Sequence, residues 1–281
     1  MRVFSDVSSL QQSILQLKDN QKKIAFVPTM GALHKGHLSL IKTAKLHADT
    51  VIVSIFVNNT QFAPHEDFNS YPRNLDSDLQ ACKDAEVDLV FTPESSTIYP
   101  QLDDYTHIIP TRLAHSFCGK SRPQFFGGIL SVLVRLFNIV TPDIAVFGEK
   151  DYQQFRVITQ CCKDLFIPTT IIMSPLIREQ NGLAMSSRNQ YLTSEQRETA
   201  SSIFKALQQA QLAFRQGEHL SSTLLALIRT HIDPSITHDY LHIVHSQTLK
   251  DVQHCDENSR ILFAGFLDKV RLIDTMSLFS S

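Results

Sequence analysis

One stretch near the N-terminus, residues 24–57, constrains the fold more than any other part of the sequence. Its two ends, residues 24–27 and 51–57, are apolar runs with the length and β-branched content of buried strands. Between them, apolar residues recur at helical spacing over residues 37–47. Strand, helix and strand in this order predict a βαβ crossover between two parallel strands.

The remaining pattern predicts a larger sheet followed by a second domain. Apolar runs before proline or glycine indicate strands at residues 88–91, 143–147 and 169–173, with helices at residues 75–85 and 151–165. After about residue 176 the pattern indicates two amphipathic helices and then three strands, at residues 194–216, 221–232, 240–244, 260–266 and 270–273. We therefore expect an α/β protein, with a parallel sheet flanked by helices in residues 1–176 and a smaller α+β domain in residues 177–281.

The composition is that of an ordinary globular protein and argues against several kinds of partner. The chain of 281 residues carries 26 basic and 28 acidic residues, so it lacks the basic field that binds nucleic acid. Its 5 cysteines have no CxxC spacing, which favours free thiols in a reducing compartment. The sequence contains no apolar run of about 18 residues that could cross a membrane. We expect a cytoplasmic protein with neither a nucleic-acid nor a membrane partner.

The strongest local signal is the segment VPTMGALHKGHL, residues 27–38, where a predicted strand ends in a turn and His-x-x-His opens the next helix. The N–H groups and the positive dipole end at a helix N-terminus attract anions such as nucleotide phosphates. Gly31 and Gly36 let a ligand approach the backbone, and His34 and His37 can both donate to charge on an α-phosphate. Alternatively, the two histidines are a metal pair or ordinary surface residues, although no third zinc ligand lies at suitable spacing.

The second segment, SIFVNNTQF at residues 54–62, delivers amide side chains at the carboxyl end of a strand, where open α/β sheets bind ligands. Gln61 can donate to a carboxylate or a hydroxyl, which suits the orientation of a hydroxy acid beside ATP. Asn58 and Asn59 could instead only satisfy a turn.

The third segment, VFGEKDYQQ at residues 146–154, again joins a strand, a glycine and a helix start. Lys150 is placed to neutralise a phosphate, and Asp151 and Gln154 fall on the same helix face. An exposed Lys150–Asp151 pair without a function is the alternative.

The fourth segment, GLAMSSRN at residues 182–189, places two hydroxyls and an arginine in a loop near the predicted domain junction. Ser186, Ser187 and Arg188 could clamp the β- and γ-phosphates, and such a loop can close over a nucleotide. It could also be only the polar start of the next helix. Four anion-compatible or substrate-compatible segments on one predicted sheet together favour an ATP site.

These segments, in the same order along the chain, resemble the signature segments of the pantoate–β-alanine ligase family: PTMGALHKGHLSL, SIFVNNTQF, VFGEKDYQQ and GLAMSSRNQYL. The resemblance implies a Rossmann-like N-terminal domain, a C-terminal lid domain and a homodimer. It also implies a two-step reaction with ATP and Mg²⁺, in which pantoate is first adenylylated and β-alanine then displaces AMP.

The resemblance assigns roles by position. The catalytic residues would be His34, His37, Lys150 and Arg188, with His37 as the proton donor. Contacts to ATP would come from Met30, Gly31, His34, Gly36, His37, Gly148, Glu149, Lys150, Asp151, Ile177, Met185, Ser186, Ser187 and Arg188. Contacts to pantoate or β-alanine would come from Asn58, Gln61, Tyr71 and Gln154, and Mg²⁺ would lie near Asp76 and Asp78.

The chain departs from this family pattern in a few places, of which Asn181-Gly182 in place of the more usual Asp-Gly is conservative because both favour a tight turn. Asn59 stands where proline is usual, so the turn that carries Gln61 is expected to be less rigid. Phe125 stands where histidine is common, and Gly127 where a larger residue is common, which puts any role of that histidine in doubt.

Two other functions compete with a ligase. A nucleotidylyltransferase would adenylylate a phosphorylated acceptor and stop, but such an acceptor calls for more basic residues than the neutral Asn58, Gln61 and Gln154. A nucleotide-binding sensor would have a degenerate site, whereas His34, His37, Lys150 and Arg188 are all present.

Overall fold

In the computed structural model, which describes residues 1–64, 66–101, 105–110 and 112–279, the N-terminal part of the chain forms a six-stranded parallel sheet. The strands in chain order are β1 (Arg2–Phe4), β2 (Ile24–Thr29), β3 (Thr50–Ile55), β4 (Leu89–Phe91), β5 (Ile144–Gly148) and β6 (Thr170–Ser174). Their order across the sheet is β1-β4-β3-β2-β5-β6. The strand order reverses between β2 and β5, and in open α/β sheets ligands bind at the carboxyl ends of the strands beside such a reversal.

Helices cover both faces of this sheet. They are α1 (Val7–Asp19), α2 (Lys35–Lys45), α3 (Leu75–Asp84), α4 (Ser95–Ile98), α5 (Cys118–Ser121), α6 (Phe125–Val140) and α7 (Tyr152–Asp164). Residues of α2 and α3 pack with every second residue of β2, β3 and β5 in one buried cluster. On the other face, the ring of Phe26 meets Phe137 of α6 edge to face at 6.4 Å.

The C-terminal part of the chain is an antiparallel sheet backed by two helices. The elements are α8 (Ser194–Arg215), α9 (Ser221–His231), β7 (Ile236–His245), β8 (Ser259–Leu267) and β9 (Val270–Ser277), with β8 in the centre of the sheet. Apolar residues of both helices and of the inner sheet face form a separate core. The α/β fold with a smaller α+β part is therefore confirmed.

The described residues divide into two compact units, each of which consists of two separate segments of the chain. Unit 1 comprises residues 1–148 and 154–174, and unit 2 comprises residues 149–153 and 175–281. The boundary predicted after residue 176 thus lies close to the second crossing, while the short segment 149–153 belongs with the C-terminal residues. No helix in the described part of the chain is long and apolar enough to cross a membrane.

Candidate active site

Two histidines cap the N-terminus of α2, directly after β2. The Nδ1 atom of His34 accepts the backbone N–H of Gly36 at 3.1 Å, and the Nδ1 atom of His37 accepts the backbone N–H of His34 at 3.3 Å. This is a capping box built from imidazole nitrogens. The two ring centroids lie 4.1 Å apart. The cap therefore holds both rings together at the positive end of the helix.

This cap also decides which ring nitrogen carries the proton. A nitrogen that accepts a backbone N–H is unprotonated, so in the neutral imidazole the proton lies on Nε2. His34 and His37 each have an Nε2–H donor as a result. Two such donors at a helix N-terminus suit the oxygens of a phosphate group.

The turn between β2 and α2 is held by Asp78 of α3. Its Oδ2 atom accepts the Ala32 N–H at 2.9 Å, and its Oδ1 atom accepts the Leu33 N–H at 2.7 Å. Gly31 has a φ of +79°, and a Cβ atom there would lie 2.7 Å from Asp78 Oδ2, so the turn requires glycine. Asp78 therefore shapes the backbone that carries the histidine pair.

These contacts bear on the predicted magnesium ligands, Asp76 and Asp78. Both oxygens of the buried Asp78 carboxylate already face backbone amides, whereas Asp76 is exposed on the first turn of α3. Within the described ranges, no group of three or more His, Cys, Asp and Glu side chains could hold a metal ion. Asp78 does not fit a ligand of a resident Mg²⁺, because Mg²⁺ needs oxygens that can turn toward it. The magnesium contact of Asp76 stays a prediction.

A hydrogen-bond network fixes the amide orientation of Asn58, which follows β3. The Gly128 carbonyl can only accept, and it takes a hydrogen bond from Asn58 Nδ2 at 3.1 Å. On the other side, Asn58 Oδ1 accepts from the hydroxyls of Tyr99 at 2.9 Å and Thr60 at 3.0 Å. Asn58 is 1 % exposed, so its contacts are to protein atoms. These contacts give Asn58 a positioning role toward Gln61, and the substrate contact that the sequence predicted for Asn58 stays a prediction.

Gln61 takes its orientation from Asn58. The Nδ2 atom of Asn58 donates to Gln61 Oε1 at 3.1 Å, so the amide nitrogen of Gln61 lies on the opposite side. That nitrogen, Nε2, lies 3.0 Å from the sulfur of Met30, which is a weak acceptor. A ligand oxygen accepts more strongly than a thioether. Gln61 is therefore arranged to donate to an oxygen atom beside the turn that carries Met30.

The first turn of α6 fits closely against the segment that carries Gln61. A Cβ atom on Gly128 would lie 2.3 Å from the Thr60 carbonyl oxygen, so α6 needs glycine there. At the family departures, the guanidinium of Arg122 stacks on the Phe125 ring, 3.6 Å from its centroid. A Cβ atom added at Gly127 would lie 3.4 Å from the Ile108 carbonyl oxygen, an ordinary contact distance. Phe125 thus gives Arg122 an apolar stacking surface where a polar ring is common.

In unit 2, the Lys150 segment is a single 3₁₀ turn, Glu149–Asp151. The Nζ atom of Lys150 lies 3.2 Å from Asp151 Oδ2, in a partly exposed pair. Glu149 instead pairs with Arg260 of β8 at 2.8 Å. Lys150 therefore makes a loose ion pair with Asp151, while Glu149, its other acidic neighbour in the sequence, is engaged elsewhere.

The serine-rich loop of unit 2 is held to β9. Arg178, before the loop, pairs with the two oxygens of Asp274 at 2.7 and 2.9 Å. Burial raises the pKa of Asp274, and the Arg178 guanidinium opposes that rise. The Met185 N–H donates to the Ile177 carbonyl at 3.0 Å, so the two sides of the loop are joined. The loop is thus a fixed hairpin of unit 2.

At the tip of this loop, Ser186 caps a 3₁₀ helix, Ser187–Tyr191, by accepting the Arg188 N–H at 3.3 Å. The Ser186 hydroxyl oxygen is therefore used locally, and its hydrogen can still point to a ligand. Arg188 lies in the first turn of that helix, half-buried.

The predicted residues fall into two groups. Unit 1 holds Met30, Gly31, His34, Gly36, His37, Asn58, Gln61, Tyr71, Asp76, Asp78, Gly148 and Gln154. Unit 2 holds Glu149, Lys150, Asp151, Ile177, Met185, Ser186, Ser187 and Arg188. Within unit 1, Met30 and Gln61 are in contact, whereas Tyr71 packs its ring on Phe62 at 5.8 Å.

Three residues that shape these groups carry no sequence signal. The turn role of Asp78, the hydroxyl of Tyr99 and the pairing of Arg260 depend on contacts between residues far apart in the chain. Only an alignment of relatives or a structure could reveal them.

A parallel sheet with a strand-order reversal, a phosphate-compatible histidine cap and an amide donor beside it defines a nucleotide-binding α/β protein with an enzyme-like site. The model of the family described as pantoate–β-alanine ligase matches residues 2–277. This chain belongs to that family.

Named relatives agree with this match. The pantothenate synthetase of Syntrophotalea carbinolica is 43% identical over 277 residues, covering 98% of this chain and 97% of that protein. The crystal structure of pantothenate synthetase from Thermus thermophilus has a TM-score of 0.94 at 36% identity and covers 100% of both chains. The pantoate–β-alanine ligase of Francisella tularensis, solved in complex with β-γ ATP and β-alanine, has a TM-score of 0.83 at 38% identity, with 100% and 99% coverage.

Proposed function

We propose that this protein condenses (R)-pantoate with β-alanine at the expense of ATP, giving pantothenate, AMP and pyrophosphate on the route to coenzyme A. The observation that carries the proposal is the capped histidine pair, whose Nε2–H donors lie at a helix N-terminus. The family match over residues 2–277 supports the choice of pantoate and β-alanine.

The reaction proceeds in two balanced steps. A carboxylate oxygen of pantoate attacks the α-phosphorus of ATP, the bond to the β-phosphate oxygen breaks, and pyrophosphate leaves. The β-alanine nitrogen then attacks the carbonyl of the pantoyl adenylate, and AMP leaves with the bridging oxygen while the nitrogen loses a proton. Adenylylation is needed because a free carboxylate is a poor electrophile toward an amine near neutral pH. The pantoyl adenylate is a mixed anhydride, and exclusion of water from the site protects it from hydrolysis.

The histidine donors support the first step. His34 and His37 donate to the α-phosphate oxygens as negative charge builds on them, with His37 as the proton donor. Gln61 donates through Nε2 to a hydroxyl or carboxylate oxygen of pantoate, with Gln154 and Tyr71 as further substrate residues.

Residues of unit 2 act on the remaining phosphates in this proposal. Lys150 and Arg188 neutralise the β- and γ-phosphates, which leave as pyrophosphate, and Ser186 and Ser187 donate to them. The backbone at Gly148 and Ile177 contacts the nucleotide.

Magnesium enters the reaction as part of the substrate. Mg²⁺ commonly binds nucleotide phosphates and keeps several waters, so MgATP needs no dedicated protein cage. Asp78 has no magnesium role in the proposed steps, because both of its oxygens accept backbone N–H groups. The exposed Asp76 remains a candidate to approach MgATP.

The network around Gln61 gives a prediction. An ionised Asp at position 58 cannot donate to the Gly128 carbonyl or to Gln61 Oε1, so Gln61 loses its fixed orientation. We expect Asn58→Asp to lower kcat/KM for pantoate about tenfold or more, the size of one lost buried hydrogen bond, with a smaller change in KM for ATP. Steady-state kinetics with each substrate varied in turn measure both effects.

The matched comparison is Tyr99→Phe. It removes the hydroxyl that donates to Asn58 Oδ1 and that also lies 3.2 Å from Thr60 Oγ1, while the hydrogen bond from Thr60 to Asn58 remains. Tyr99→Phe should also lower kcat/KM for pantoate, but by less than Asn58→Asp does. An unchanged kcat/KM for pantoate in Asn58→Asp would mean that Gln61 does not depend on Asn58.

Product analysis separates the proposal from its rivals. With ATP, pantoate and β-alanine, we expect stoichiometric AMP and pantothenate, and without β-alanine a slow release of pyrophosphate as bound pantoyl adenylate forms. A nucleotidylyltransferase would give the same products whether or not β-alanine is present. A sensor would bind ATP and form no AMP.

The proposal includes a cytoplasmic homodimer. In unit 1, β6 is an edge strand with partly exposed Ile171, Ile172 and Met173, and the nearby Phe166 is 91% exposed. An apolar edge of this kind suits contact with a second copy. Light scattering coupled to gel filtration should give twice the 31.8 kDa of the chain, and a mass of one chain at micromolar concentration would contradict it.

A further inference from the structure

Glu149 is the acidic residue between Gly148 and Lys150, and both of its carboxylate oxygens are held by other residues of unit 2. Its Oε1 atom lies 2.8 Å from Nη1 of Arg260, and its Oε2 atom accepts the Leu176 N–H at 3.1 Å. Lys150 is therefore not paired with Glu149, although the two are adjacent in the sequence.

Arg260 is a buried cation on the central strand β8. It is 6 % exposed, its guanidinium lies 4.1 Å from the centroid of the Tyr152 ring, and Nη1 also donates to Thr275 Oγ1 at 3.2 Å. Contacts with Glu149, the Tyr152 ring and Thr275 fix the guanidinium, so it cannot reorient toward a different carboxylate. Its charge is thus committed to the Glu149 carboxylate.

The position of this pair matters because Lys150 has acidic neighbours on both sides in the sequence. A free carboxylate at Glu149 would compete for the Lys150 ammonium and repel the phosphates of a nucleotide. Arg260 cancels that charge. Two acidic groups then remain near Lys150: Asp151, at 3.2 Å, and Asp274, whose two oxygens are paired with Arg178.

We propose that Arg260 is a positioning residue for nucleotide binding, which neutralises Glu149 and thereby leaves Lys150 available to a nucleotide phosphate. The inference rests on the proposed function of Lys150 as a phosphate ligand. No covalent step involves Arg260, which acts through Glu149.

The test is the affinity for a non-hydrolysable ATP analogue with Mg²⁺, measured by calorimetry. Arg260→Met keeps the length and apolar stem of the side chain and removes its charge. We expect the Kd to rise about tenfold or more, because an uncompensated carboxylate then lies beside the nucleotide. Adding Glu149→Gln to this variant removes that carboxylate and should restore the Kd to within about threefold of the wild type, since tenfold is the scale of one such charge contact.

The double variant distinguishes a loss of the Arg260 charge from a loss of its packing contacts. If Arg260 only stabilised the sheet, the double variant would bind as weakly as Arg260→Met or more weakly, and this result would overturn the proposal. An unchanged Kd in Arg260→Met would overturn it as well. Arg271→Met is the matched control, because Arg271 pairs with Asp239 at 2.7 Å in the same sheet, and its Kd should equal that of the wild type.

Glu149→Gln alone provides a second measurement should Arg260→Met fail to fold. The glutamine oxygen can still accept the Leu176 N–H, while Arg260 becomes an unbalanced positive charge. The proposal predicts tighter binding of the ATP analogue, and weaker binding would contradict it. The binding measurement needs neither pantoate nor β-alanine. A negative result would therefore not contradict the proposed condensation reaction. Conversely, the finding of a different acid substrate would not contradict the role of Arg260.

Discussion

His37→Asn is expected to fold like the wild type and to form pantoyl adenylate about 10²-fold or more slowly, the scale of a lost transition-state donor. The Oδ1 atom of asparagine can replace Nδ1 as acceptor for the His34 N–H, so the cap of α2 is kept. Asparagine has no group at the position of Nε2, so the donor to the α-phosphate is lost. Pyrophosphate release in a single turnover with ATP and pantoate measures the effect.

Two comparisons make this prediction specific. His37→Gln places an amide N–H near the position of Nε2 and should recover part of the rate, although it weakens the cap. Thermal unfolding should show the opposite order, with His37→Asn closer to the wild type. A near wild-type rate in His37→Asn would mean that the histidine pair serves only as a helix cap.

Lys150→Ala is expected to slow adenylate formation by about 10²-fold or more, because the leaving pyrophosphate loses one of the two cations that the proposed mechanism assigns to it. Lys150→Arg, which retains the charge, should lose less, and the same pyrophosphate assay separates the two variants. The side chain of Lys150 is partly exposed and pairs only with Asp151, so the substitution should change thermal stability little. Equal rates for Lys150→Ala and the wild type would remove Lys150 from the mechanism.

The sequence predicted the first βαβ unit well, because each of its elements has a strong period. The helix predicted over residues 37–47 is observed as Lys35–Lys45. The shift of two residues comes from the cap, since imidazole nitrogens take the place of the usual hydroxyl and carboxylate signals. The apolar spacing in the sequence located the helix, whereas the hydrogen bonds of the histidine cap define the residue at which it begins.

Helix α6 was not predicted, although it is the most apolar helix of unit 1. Its first turn contains Gly127 and Gly128, and glycine disfavours helix interiors. Gly128 is needed because the Thr60 carbonyl lies where a Cβ atom would be. Tertiary packing here overrides local propensity, which a single sequence does not reveal.

Strand β7 was predicted too short for a related reason. The pattern indicated residues 240–244, whereas the strand is Ile236–His245 with a register shift between His238 and Tyr240. A bulge breaks the alternation of apolar and polar residues on which the prediction depends.

For the candidate site, residue types were predictable and their orientations were not. The sequence indicated that His34, Asn58 and Gln61 belong near a ligand. Which side of the Asn58 amide faces Gln61 depends on the Gly128 carbonyl, 70 residues away. Which nitrogen of each histidine is protonated depends on the backbone N–H groups that the observed cap turns toward Nδ1. Such partners carry no local pattern.

An oxygen label tests whether the carboxylate of pantoate attacks the α-phosphorus of ATP. Pantoate labelled with ¹⁸O in its carboxylate is incubated with the protein, ATP and β-alanine, and the AMP is analysed by mass spectrometry. We expect one ¹⁸O atom in the phosphate of each AMP, because AMP leaves with the bridging oxygen. AMP without the label, or release of ADP with labelled phosphate, would contradict it.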